Sequence, residues 1–156
     1  MGSITVKKTV NYPTDIAWSL ISDYANIYKF HPMLTNSFIN HGSAACGIGA
    51  ERTCQMPAGM NLVEQVIDWQ EGESYTVRIT STNMPIKTAQ ATIGVRAINT
   101  DKSLLHFKIN YQVKFGILGK IMDILMMRWM FRIMISMLLN SLAKAIARTS
   151  IAANPI

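Results

Sequence analysis

The sequence predicts an α+β domain in which a curved, seven-stranded antiparallel sheet closes on one long C-terminal helix, with two short helices after the first strand. Three observations carry this reading. Apolar and polar residues alternate through most of residues 4–115, and short breaks rich in Gly and Pro separate the runs. After Gly116 and Gly119 the apolar period changes from two to about 3.6 and holds almost to the C-terminus.

Ile4, Val6, Val10 and Tyr12 share one parity against Thr5, Lys7, Thr9 and Asn11, as in a half-buried first strand, with Lys8 interrupting the apolar face. Pro13 stops that strand. Thr14 is the expected N-cap of a short amphipathic helix carrying Ile16, Ala17, Leu20 and Ile21 and ending near Asp23. A second short helix is expected over residues 25–30, closed by His31-Pro32, because the residue before proline is pushed out of the helical region. Residues 33–83 read as strands broken at His41-Gly42-Ser43, Pro57-Ala58-Gly59 and Glu71-Gly72-Glu73, which are hairpin connections. Another strand runs from Pro85 to Ile98. The last has the cleanest alternation, with Leu105, Phe107, Ile109, Tyr111, Val113 and Phe115 facing the core. Residues 118 to about 150 then form the long helix, in which Lys120, Arg128, Arg132, Ser136, Asn140, Lys144 and Arg148 make a narrow polar stripe.

With 156 residues, 49% of them hydrophobic and 15% charged, the chain has the size of one domain and the apolar content to fold as one. Cys46 and Cys54 are too few for a disulfide framework and are expected to stay reduced. No metal-ligand spacing, phosphate-cradling loop or catalytic triad is legible, so neither metal nor cofactor is expected. The net charge of +6 is concentrated in the last helix, where Lys120, Arg128, Arg132, Lys144 and Arg148 face the single acid Asp123. That placement disfavours a nucleic-acid groove and leaves an anionic membrane surface or a homodimer open as partner of the long helix. The charges at 123, 128 and 132 break the apolar run, so a membrane span is not expected. The N-terminus lacks the apolar core and cleavage site of a secretory signal, and the expected location is cytoplasmic, with peripheral membrane contact left open.

Val10-x-x-Pro13-x-x-x-Ala17-Trp18-x-x-Ile21-Ser22-Asp23, followed by Phe30-His31-Pro32, resembles the opening of the polyketide cyclase/dehydrase and lipid-transport families of the START-like (SRPBCC) superfamily. Gly47-x-Gly49-x-x-Arg52, Glu64 with Asp68, Tyr75 and Met84-Pro85 follow in similar order and spacing. The resemblance spans nearly the whole chain. It implies the helix-grip fold, a single START-like ligand-binding domain over residues 1-156, and a cavity between sheet and long helix.

Strand parity then selects side chains that could face that cavity. Arg52 shares its parity with Ile48, Ala50, Cys54 and Met56, and a buried arginine needs a partner; Glu64, across the short turn at residues 57–60, is the candidate. The two readings are an internal ion pair that shapes the sheet and a group that meets a carboxylate, phenolate or carbonyl of a ligand. Tyr75, Tyr111 and Phe107 lie on inward parities, as large core residues or as ligand contacts. Lys8 and Lys87 share apolar parities near the ends, and His31 sits where a cavity mouth is expected. Met126 and Met130 belong to a Met-rich helix that suits an adaptable cavity wall.

Two functions follow from different classes. One is binding or carrying a small hydrophobic ligand, such as a lipid, quinone or polyketide, without catalysis. The other is a polyketide cyclase, aromatase or dehydratase acting in the same cavity, with Arg52 stabilising an enolate and Tyr75, Tyr111 or His31 moving protons. A third use, docking through the long helix, follows from its excess of apolar surface.

Overall fold

The computed structural model describes residues 2–114, 116, 118, 121 and 126–153. Strand β1 (Gly2–Val10) leads into helix α1 (Thr14–Ile21) and a 3-10 helix (Tyr24–Lys29). Six strands follow: β2 (Asn36–Ile39), β3 (Glu51–Gln55), β4 (Asn61–Gln70), β5 (Ser74–Thr82), β6 (Ile86–Asn99) and β7 (Lys102–Val113). Helix α2 (Arg128–Ala153) is the last described element. The strands form one antiparallel sheet in the order β1-β7-β6-β5-β4-β3-β2. Consecutive hairpins thus run from β2 to β7, and β1 joins the far edge beside β7.

The sheet bends because β4 carries register shifts at Val63/Glu64 and Val66/Asp68, and each bulge adds local twist to its strand. The concave face so formed is closed by α2, which packs on β1, β7 and α1. Its inner ladder, Phe131, Ile135, Leu138, Leu142 and Ile146, is buried, with the three- and four-residue spacing that holds one face of a helix against a sheet. The described helix begins at Arg128 and extends to Ala153; Phe115, Lys120 and Asp123 lie outside the described residues. By length and composition alone Arg128–Ile151 could cross a bilayer, contrary to the expectation from its charges, yet its inner face packs on the protein's own sheet.

Three local expectations are corrected. Pro13, in extended conformation, occupies the position before α1 that was expected for Thr14, which is instead the first helical residue. Ile48 lies in the loop before β3 and is 70% exposed, so the inward parity begins at Ala50. Lys87 is exposed because the register shift at Ile86/Thr88 turns it out of the alternation that continues through Ala89 and Ile93.

Candidate functional site

A cavity of about 80 Å3 lies between the concave sheet and α2. A single water needs only about 10–15 Å3, so the space admits a small molecule of roughly one ring. Its apolar walls come from the short helical segment and loop (Ile27, Leu34), the middle of the sheet (Val77, Ile93, Phe107) and α2 (Leu138). Arg52, Glu64, Tyr75, Cys54 and His31 supply the polar atoms.

Arg52 and Glu64 face each other across the β3–β4 pair, both on the inner parity and both buried. The Arg52 Nε–H donates to Glu64 Oε1 at 2.6 Å, and Nη2 completes the ion pair to the same oxygen. Nη1 donates to the main-chain carbonyl of Tyr24, and the guanidinium carbon sits 3.9 Å from the centre of the Tyr24 ring. Tyr24 in turn donates its hydroxyl to the Glu64 carbonyl at 3.1 Å. Burial would pull the guanidinium pKa down, but the adjacent Glu64 carboxylate overrides it and holds the net shift upward. The cation is therefore fixed and its charge is met inside the protein. Burial, with the Glu64 charge second, pushes the Cys54 thiol up to about 12, so it stays protonated. Cys46 is exposed, and both cysteines are free.

Tyr75 differs from its neighbours. Its ring stacks on Trp69 at 5.3 Å and meets the edge of Tyr24 at 5.6 Å, yet its buried hydroxyl has no hydrogen-bond partner of normal geometry among the described residues. Burial pushes that hydroxyl up to about 12, although the positive charge of Arg52 and a polar contact from its guanidinium, off the geometry of a normal hydrogen bond, pull the other way. His31 accepts from the Met33 N–H through Nδ1 at 3.2 Å, which places the proton of the neutral ring on Nε2. Burial, followed by the charge of Arg52, lowers its pKa to about 4.

Of the expected site residues, Arg52, Glu64, Tyr75 and Phe107 converge on this cavity. Tyr111, Met126 and Met130 do not. Tyr111 pairs with Gly2 at the end of the sheet, packs 4.8 Å from the Phe131 ring, and lies so close that a Cβ on residue 2 would sit 2.6 Å from it. Met126 and Met130 are 56% and 46% exposed on the outer side of the helix, and the wall facing the cavity is Leu138. Sequence reasoning missed Tyr24, whose carbonyl and ring hold Arg52; only an aromatic residue in a short amphipathic segment hinted at it. It also missed the clamp that fixes the Trp18 motif, in which Glu71 accepts from the indole N–H groups of Trp18 at 2.7 Å and Trp69 at 2.8 Å.

Comparison with known proteins follows the same architecture. The family described as polyketide cyclase/dehydrase and lipid transport matches residues 1–147. The chain belongs to that family. Among solved structures, this family member is similar to the protein XoxI from Bacillus cereus, at 18% identity and a TM-score of 0.76, covering 96% of this chain and 99% of that one. It is also similar to a START superfamily protein from Mycobacterium smegmatis, at 11% identity and a TM-score of 0.77, with 94% and 98% covered. Norcoclaurine synthase from Thalictrum flavum, solved in complex with dopamine and hydroxybenzaldehyde, aligns at 16% identity and a TM-score of 0.72, with 94% and 87% covered. At these identities the likeness is one of fold. Among curated proteins, none matches the chain in sequence.

Proposed function

We propose that this family member binds a small, uncharged hydrophobic molecule bearing an acceptor oxygen, in the cavity between sheet and α2. The observation that carries the reading is the buried Tyr75 hydroxyl, which lines the cavity beside Arg52 and makes no hydrogen bond of normal geometry among the described residues. A buried donor left unsatisfied costs about 1–3 kcal/mol, which a ligand oxygen would recover. With its pKa near 12 the phenol remains a donor at neutral pH, and the His31 Nε2–H is a second donor on the same wall. Ketones, aldehydes and quinones offer the complementary acceptor. An anion is disfavoured, because Arg52 is already neutralised by Glu64 and a second negative charge would be desolvated beside that carboxylate. The aromatic aldehyde bound by norcoclaurine synthase is of the favoured class.

The test is a titration followed by tryptophan emission, since Trp69 stacks on Tyr75 and reports on its surroundings. Acetophenone should change the emission saturably, whereas benzoate should not. Tighter binding of benzoate than of acetophenone would contradict the reading.

Catalysis of the cyclase, aromatase or dehydratase kind in the same cavity is the second reading. It is favoured by one arrangement: the Tyr75 hydroxyl and the His31 Nε2–H, both protonated at neutral pH, share the wall, and two donors on one substrate oxygen would stabilise an enolate there. His31→Gln should then lower turnover of a reactive polyketone by far more than it weakens acetophenone binding. Equal turnover by the variant would remove His31 from the chemistry.

A further inference from the structure

The outer side of α2 is as unusual as the cavity. Trp129 is 69% exposed, Met137 47%, Met130 46% and Ile133 38%, all on α2, and Met126, just before it, is 56% exposed. Successive helical residues turn by about 100°, so Met130, Ile133, Met137, Lys144 and Arg148 fall within a sector about 60° wide, opposite the buried ladder. Trp129 borders that sector. Along one outward line the helix is therefore apolar for its first half and basic at Lys144 and Arg148, with Ile151, 70% exposed, beyond them near the C-terminal end. Between Arg128 and Ala153 it carries Arg128, Arg132, Lys144 and Arg148 and no acid. At the basic end, Lys144 and Arg148 meet Lys29 across an open surface groove of about 340 Å3 that also presents Ser141 and Thr149.

We propose that this face docks the protein on an anionic lipid bilayer. Met126, Met130, Ile133 and Met137 enter the boundary of the acyl chains, Trp129 lies at headgroup level, and Lys144, Arg148 and Lys29 meet lipid phosphates. The apolar and basic halves are about 10–30 Å apart along the axis at a rise of about 1.5 Å per residue, so the helix lies on the membrane tilted toward its N-terminal half. Charge complementarity selects this occupant over a second copy of the chain. In a two-fold dimer, antiparallel helices would set Lys144 and Arg148 of one copy on the apolar stripe of the other, and parallel helices would set them against themselves. Neither arrangement supplies a negative charge from the helix.

The experiment is co-sedimentation of the full chain with vesicles of phosphatidylcholine alone and of phosphatidylcholine mixed two to one with phosphatidylglycerol. Binding should require the anionic lipid and weaken as ionic strength rises from about 0.01 to about 0.15 M, where the Debye length shrinks from about 30 to about 8 Å. Lys144→Gln and Arg148→Gln should each weaken it about fivefold, the contribution of one basic residue near such a surface. Met130→Glu should abolish it while leaving the circular dichroism and acetophenone binding of the wild type. Failure to bind either vesicle, equal binding to both, or wild-type binding by Met130→Glu would each overturn the proposal. So would a dimer in solution that Met130→Glu dissociates.

Discussion

Arg52 and Met130 both break the ordinary rule of polar outside and apolar inside, and the protein resolves them in opposite ways. Arg52 is buried at 5% exposure, and Glu64, the Tyr24 carbonyl and the Tyr24 ring meet its charge from within. Met130 is 46% exposed, and nothing among the described residues covers the apolar stripe it shares with Ile133 and Met137. An exception satisfied internally is a device of folding; one left unsatisfied is where we propose that something outside the chain binds. Tyr75 belongs to the second kind although it sits beside the first, since its hydroxyl is buried among satisfied groups and makes no hydrogen bond of normal geometry among the described residues. The same criterion therefore separates the scaffold of the cavity from its working surface.

The contrast is broken most severely at the ion pair. Glu64→Gln leaves Arg52 charged and buried without a counter-charge, and should cost about 3–5 kcal/mol, read as a lowered urea midpoint. Replacing both, as Arg52→Met with Glu64→Leu, should recover most of that loss, as expected of a pair that shapes the fold. The helix offers the matching contrast. Leu138 is 1% exposed and lines the cavity, and Leu138→Ala should cost about 2–5 kcal/mol, whereas the exposed Met130→Ala should change stability by no more than about 0.5 kcal/mol. Equal costs at the two positions would show that the outer face is packed after all.

A smaller effect is expected from pH. The folded protein holds His31 at about 4 against an ordinary 6.5, so the unfolded chain takes up the proton first as pH falls. His31 should thus contribute stability that is fully present above pH 6.5 and declines progressively toward pH 4. His31→Gln should flatten that part of the profile in thermal melts. Glu71 acts lower in the range. Hydrogen bonds from Trp69 and then Trp18 hold its carboxyl below the ordinary 4.5, so its contribution fades only as pH falls through that region.

Local pattern was sufficient for the sheet and for half of the site. The alternation in β7 and the hairpin breaks located the strands, and parity alone brought Arg52 opposite Glu64, because both lie in regular segments joined by a short turn. Parity says which face a residue occupies but not how far along the sheet it sits. Phe107 therefore reaches the cavity while Tyr111, on the same face of the same strand, packs against Gly2 and Phe131 at the sheet end. Lys87 was misplaced for a related reason, since a bulge shifts parity without a marker in the sequence. On α2 the apolar residues surround so much of the circumference that the phase of the buried ladder could not be read. Met126 and Met130 consequently looked as able to line the cavity as Leu138. Tyr24 meets Arg52 across 28 positions of chain, a contact that depends on how the 3-10 helix docks on the sheet.

The most direct test of the central claim, that Tyr75 is the anchor of a ligand cavity rather than part of its scaffold, is calorimetric titration of acetophenone into wild-type protein and Tyr75→Phe, with thermal melts of both. The substitution removes one hydroxyl and no packing. We expect unchanged or slightly raised thermal stability, because the lost group makes no hydrogen bond of normal geometry among the described residues, together with binding weakened about 5- to 30-fold, equivalent to about 1–2 kcal/mol for one hydrogen bond. A variant that binds acetophenone as tightly as the wild type, or that melts several degrees lower, would contradict it.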